Sequence, residues 1–134
     1  MSNNGIRIWI FRILMLLYLA AVALLCFANL GSLGPKEFLW GIPSDKLAHV
    51  FLFLPFPLLA WGCTASGNKT VPGILCKIII IFLLGAAWGF STEFIQGYLP
   101  NRARDNMDLM ADLCGVTACC LGIVILKLWA QKEA

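Results

Sequence analysis

The sequence predicts an all-α membrane protein, a four transmembrane helix bundle with both termini cytoplasmic. Three observations predict it. The 134 residues are 60% hydrophobic and 13% charged, with a mean hydropathy of +0.85, far outside the composition of a water-soluble domain. The apolar residues fall into four long runs separated by short polar connections. The Lys and Arg residues flank those runs instead of forming one patch, as topology signals do. A bundle in lipid is held by helix packing and internal hydrogen bonds rather than by a large water-excluded core. With no linker, low-complexity tract or convincing repeat, residues 1–134 are expected to form a single domain.

The predicted helices cover about 8–30, 46–63, 77–99 and 107–130. The first has no charge from Ile13 to Leu30, is preceded by Arg7 and Arg12, and is stopped by Gly31-Ser32-Leu33-Gly34-Pro35. It is longer than the roughly 7 to 15 apolar residues of a signal peptide. A retained helix is expected. The second carries His49 near its start and Pro55 and Pro57 at mid-depth, where proline removes a backbone donor and kinks the helix. The third contains Glu93, and the fourth has Asp112 near its start. Each is close to the ~20 residues that a 30 Å hydrocarbon layer requires.

Orientation follows from the basic residues. Arg7 and Arg12, Lys69 and Lys77, and Lys127 and Lys132 fall on one side, which the positive-inside rule makes cytoplasmic. The other side has Lys36, Lys46, Arg102 and Arg104, together with every acidic residue except Glu133. Trp9, Trp61 and Trp129 mark the three cytoplasmic edges and Trp40 the outer side, as an aromatic belt would. The net charge of +3 is spread along the chain, which excludes a nucleic-acid-binding patch. Cys26, Cys114, Cys119 and Cys120 lie in apolar runs and Cys63 and Cys76 flank the second connection. They read as small packing residues rather than as disulfides or a zinc site.

This topology brings the start of helix two, the end of helix three and the start of helix four to the outer side. Asp45 and His49 are four residues apart with Lys46 beside them, Glu93 and Gln96 are three apart, and Asp105, Asp108 and Asp112 follow at spacings of three and four. Each set shares a helical face. Glu93 lies roughly 9 Å below the outer end of its helix, a depth at which a carboxylate faces the bundle interior and finds a partner. The row Gly85, Gly89, Glu93, Gly97 allows a neighbouring helix to come close enough to supply one, and His49, Arg102 and Arg104 are the candidates.

Plain structural roles stand beside these. Asp45, Asp105 and Asp108 suit helix N-termini, Gln96 suits an interhelical hydrogen bond, and Arg102 and Arg104 suit lipid phosphates at the interface.

Asp45-Lys46-x-x-His49, Glu93-x-x-Gln96, and Arg102 followed by Asp108-x-x-x-Asp112-x-x-Gly115 resemble the VanZ-like family over about residues 45–122. Each motif is short; the order and topology make the set more specific. The family has Asn where this chain has Asp112, and an added acid there favours a cation or a protonated carboxyl. The family is named for a membrane protein associated with low-level teicoplanin resistance. The resemblance implies a multi-pass protein of the bacterial inner (cytoplasmic) membrane, acting in the cell envelope. The expected function is to bind or modify an anionic envelope lipid, a polyprenyl phosphate or a polyprenyl-linked cell-wall precursor. His49 and Glu93 are the candidate catalytic acid/base pair. Lys46, Gln96, Arg102 and Arg104 are candidate substrate-binding residues. Asp45, Asp108 and Asp112 are candidate ligands for a divalent cation. The alternative is a non-enzymatic membrane scaffold or a small transporter. A transporter places ionisable groups near the midplane, and the inner half of this bundle has no acids.

Overall fold

A computed structural model describes residues 3–27, 38–39, 42–64, 70–100 and 104–133. Helix α1 (Asn3–Phe27) is followed by two short strands, β1 (Phe38–Leu39) and β2 (Ile42–Pro43). These pair antiparallel, with Phe38 opposite Pro43 and Leu39 opposite Ile42. Then come α2 (Ser44–Phe53), α3 (Phe56–Gly62), α4 (Val71–Gln96) and α5 (Asn106–Lys132). Helices α1, α4 and α5 are each long and apolar enough to cross a membrane. The chain is thus a mainly helical, multi-pass membrane protein.

Four continuous spans are not what the chain forms. The predicted second span is divided into α2, of 10 residues, and α3, of 7, neither long enough to cross alone. The two prolines are the cause. Pro55 and Pro57 have no N–H to give to the carbonyls of Phe51 and Phe53, and their rings crowd the preceding turn. Helix α2 closes where Leu54 N–H donates to the Val50 carbonyl at 3.0 Å. Helix α3 places its prolines at the cap and in the first turn, where a missing donor costs little. Between the two affected carbonyls, that of Leu52 accepts the Tyr18 hydroxyl of α1 at 2.6 Å. Leu54 and Pro55 both keep right-handed helical dihedrals, so α3 continues the path of α2.

The remaining ends differ from the sequence reading by a few residues. Helix α1 begins in the polar residues Asn3 and Asn4, and α4 begins with Pro72 in its first turn. The missed turn is polar in α1; in α4 it is apolar, and Pro72 and Gly73 read as connection although proline is tolerated in a first helical turn, while α4 closes at Gln96, short of the expected 99.

Helix α5 packs between α2 and α4, while α1 lies mainly on α3. The core is thin and drawn from all five helices, with Val22, Phe53, Phe56, Ile78, Val116 and Cys120 among its members. The outside is apolar: Leu16, Leu24 and Ile125 are 68%, 71% and 67% exposed, an arrangement that suits lipid rather than water. All six cysteines are free. Two glycines set the helix spacing. A Cβ on Gly115 would overlap the Val50 carbonyl oxygen, so the α2 and α5 backbones touch there. A Cβ on Gly89 would sit 3.3 Å from Asp112 Cβ, so α4 meets α5 there through a side chain, less closely than α2 does.

The chain path collects the C-terminal ends of α1 and α4 and the N-terminal ends of α2 and α5 at one end of the bundle. At the other end, Arg12 Nε donates to the Cys63 carbonyl at 3.3 Å and Lys77 Nζ to the Trp61 carbonyl at 3.3 Å. Lys77 and Lys127 place their ammonium groups 3.9 and 5.6 Å from the Trp61 ring centroid.

Candidate functional site

Helix α2 starts at Ser44, so Asp45, Lys46 and His49 fall in its first two turns. Helix α5 is capped by Asp105, whose carboxylate accepts the Met107 N–H at 2.8 Å. That start places Asp105, Asp108 and Asp112 on successive turns of one face, towards α2. Glu93 enters from the last turn of α4.

Lys46 is the cation of the outer layer. Its Nζ is 2.5 Å from Asp105 Oδ2, pairs with Asp108 Oδ1, and lies 3.6 Å from Asp45 Oδ2. One turn deeper, His49 Nδ1 is 2.8 Å from Asp112 Oδ1, and its Nε2 is 3.8 Å from Asp108 Oδ2. Asp108 therefore bridges the two layers. Glu93 Oε2 accepts the backbone N–H of Asp105 at 3.2 Å. Ligand-capable atoms of His49, Glu93 and Asp112 all lie within 4.8 Å of one another. Glu93 and Asp112 are each 1% exposed. Each also keeps one buried oxygen, Glu93 Oε1 and Asp112 Oδ2, without a hydrogen-bond partner among the described residues.

The candidates named from sequence thus separate. His49, Glu93 and Asp112 converge in the inner layer; Lys46, Asp45 and Asp108 form the outer one. Gln96 turns away from both. It is 2% exposed and donates through Nε2 to the Cys26 carbonyl at 2.8 Å, tying α4 to the end of α1. Arg104 is exposed, with its guanidinium 5.5 Å from the Phe90 ring, not against Glu93. Arg102 lies outside the described residues. Of the proposed cation ligands, Asp45 and Asp108 face Lys46, and only Asp112 belongs to the inner three.

Asp105 was missed as a site residue, and Tyr18 as the side chain that braces α2 through the Leu52 carbonyl. Asp105 reads as a helix cap and is one, yet its backbone holds Glu93 and its carboxylate holds Lys46; the three-residue step to Asp108 is the signal that links it to the face. Tyr18 lies in an apolar run and carries no signal at all. A groove of about 380 Å³, lined by residues such as Met15, Phe56 and Trp88, opens between α1, α3 and α4 and contains no ionisable side chain.

Chemically, the inner layer joins an imidazole to two carboxylates in a site shielded from solvent. Like charges this close in a low dielectric need a proton or a cation between them. Such a group can exchange protons with a bound substrate, bind a metal ion, or stand as a structural network.

No protein-family description matches the chain, and no solved structure matches it. An uncharacterized protein of the fission yeast Schizosaccharomyces pombe is similar, at 26% identity over 91 residues, which cover 67% of this chain and 51% of the relative. The chain thus spans about half the length of that curated relative. The likeness to the VanZ-like family rests on the short motifs alone.

Proposed function

We propose that the chain is a four-span membrane protein whose polar end binds, and chemically modifies, a phosphate-bearing membrane lipid. A polyprenyl phosphate or a polyprenyl-linked envelope precursor is the favoured class, and the inner membrane of a bacterium the favoured setting. In this reading α2 and α3 together make the fourth span. From Ser44 to Gly62 they would extend about 28 Å as one helical path, close to the ~30 Å hydrocarbon layer. The basic residues put the polar end outside and both termini in the cytoplasm.

The observation that carries the proposal is the convergence of a half-buried His49 with the buried Glu93 and Asp112 at the end of the bundle. Intramembrane ionisable groups are costly and mark sites of binding or proton transfer. His49 and Glu93 would exchange protons with the headgroup, Asp112 would hold the imidazole, and Lys46 and Arg102 would contact phosphate. The test is genetic and chemical together. A deletion strain complemented with His49→Ala or Glu93→Gln should accumulate a phosphate-bearing lipid that the unaltered chain removes, and should alter glycopeptide susceptibility. Unchanged lipid profiles and susceptibility with both variants would sink the reading. A cytoplasmic and a periplasmic reporter fused to the C-terminus test the orientation; activity of the periplasmic one alone refutes it.

A scaffold or a small transporter is the second reading. The scaffold is favoured by the extent to which the charges satisfy one another, with three carboxylates around Lys46 and the helices seated glycine to backbone at Gly115. It predicts that Glu93→Gln is silent in the complementation assay while a bulky residue at Gly115 is not.

A further inference from the structure

We infer that His49, Glu93 and Asp112 form a binding site for one divalent transition-metal ion, and that Asp108 is the outer carboxylate that orients the His49 ring. The inference deepens the proposed function by naming a cofactor for the same site; with an ion bound, His49 and Glu93 would serve as its ligands in place of the acid/base pair, and the inference rests on that reading for the ion's role, not for its binding.

Three facts carry it. The three side chains come from three helices, α2, α4 and α5, and their ligand-capable atoms lie within 4.8 Å of one another. Protein nitrogen and oxygen ligands bind such ions at about 2.0 to 2.2 Å, which puts neighbouring ligand atoms roughly 3 to 3.5 Å apart. Side-chain movement of about an ångström closes the set. Next, Glu93 and Asp112 are 1% exposed, and each leaves an oxygen without a hydrogen-bond partner among the described residues. A buried carboxylate oxygen with no donor is costly, and a cation between the two groups removes that cost. Lys46 does not serve, because its ammonium is engaged with Asp105, Asp108 and Asp45. Finally, the imidazole has carboxylates on both sides: Nδ1 is hydrogen-bonded to Asp112 Oδ1 at 2.8 Å, and Nε2 faces Asp108 Oδ2 at 3.8 Å, an ion-pair distance beyond a hydrogen bond. A metal-bound histidine commonly gives its second nitrogen to a carboxylate that fixes tautomer and ring angle, which is the place of Asp108.

One imidazole and two carboxylates suit Zn²⁺, Mn²⁺ or Fe²⁺ better than Ca²⁺, which prefers six to eight oxygens. Among the described residues the cluster sets Asp45, Glu93, Asp105, Asp108 and Asp112 against Lys46 and His49, so it is acidic. An added divalent ion would turn it into a place where a phosphate can dock, with three protein ligands leaving positions open for an oxygen.

The test uses the full chain in detergent micelles, stripped with chelator and dialysed against Zn²⁺ or Mn²⁺ alone. One ion per chain by elemental analysis, with a raised melting temperature, is expected. Glu93→Gln and Asp112→Asn should each weaken uptake by more than about 100-fold and Asp108→Asn by about 10 to 100-fold, the usual effect of an outer-shell carboxylate. Lys77→Met, at the opposite end of the bundle, should leave uptake unchanged. No uptake by the unaltered chain at micromolar free ion, or equal uptake by Glu93→Gln, overturns the site. A readout free of substitutions guards against misfolded variants: Mn²⁺-loaded protein should show nitrogen hyperfine coupling from an imidazole in pulsed paramagnetic resonance, and its absence also overturns the site. No lipid is added, so the outcomes separate. Metal uptake without any lipid phenotype refutes the proposed function alone. A lipid phenotype in a chain that takes up no ion refutes the metal alone.

Discussion

The two ends of the bundle hold charge in opposite ways. At the polar end Lys46 and His49 are surrounded by carboxylates on neighbouring helices, with the deepest of these, on Glu93 and Asp112, 1% exposed. At the other end Lys77 and Lys127 approach the ring of Trp61, and Arg12 and Lys77 give hydrogen bonds to backbone carbonyls. Among the described residues no carboxylate pairs with these cations. One end spends its charges on each other across helices; the other turns them to aromatic faces and carbonyl oxygens, where headgroup phosphates can share them. The difference teaches that only the first arrangement is demanding enough of geometry to be a site.

Substitutions at the two ends should diverge accordingly. The largest effect is expected at the backbone contact that brings α2 to α5. Gly115→Val would force the helices apart at Val50 and Leu54, costing about 3 kcal/mol or more in unfolding titrations with denaturing detergent. It should also separate His49 from Asp112. If Gly115→Val unfolds like the unaltered chain, the polar end is looser than the contact implies.

Next comes Lys46→Met, which leaves Asp45, Asp105 and Asp108 facing one another. The site is partly open, with Lys46 15% and Asp105 41% exposed at the side chain, so roughly 1 to 2 kcal/mol is expected. Lys46→Arg should recover part of it. Gln96→Leu removes the bond to the Cys26 carbonyl and should cost about 1 kcal/mol without changing metal uptake. The smallest effect belongs to the basic end. Lys77→Met loses its place over Trp61, about 0.5 to 1 kcal/mol or less. If Lys77→Met proves as costly as Lys46→Met, the contrast between the ends fails.

Much of the polar end is legible in the sequence because helical spacing is local. Asp45 with His49, and Asp108 with Asp112, share faces once each helix start is placed, and the starts at Ser44 and Asn106 are marked by Pro43 and by the Asp105 cap. What is not legible is the choice among partners. Glu93 had His49, Arg102 and Arg104 in reach by topology, and only the crossing of α4 on α5 at Gly89 decides that it meets the His49 and Asp112 layer while Arg104 goes to Phe90. Gln96, three residues further on, sits only about 60° round the helix from Glu93, yet its side chain reaches the Cys26 carbonyl of α1 instead, a choice that spacing alone does not make. The broken second span was half visible. Pro55 and Pro57 announce a kink, but whether the helix bends or parts depends on an acceptor for stray donors and a donor for stray carbonyls, and the Tyr18 hydroxyl came from an apolar run that gives no hint of it.

The break at Leu54 and Pro55 makes α2 a short lever. Its ten residues carry Lys46 and His49, with Lys46 roughly 13 Å from the fulcrum along the axis. A rotation of about 10° there would swing the Lys46 end by about 2 Å, while the seat of Gly115 against Val50 and Leu54, close to the fulcrum, would move far less. The positions of Lys46 and His49 are thus set chiefly by how α2 seats on α5, and less by α3 beyond the joint.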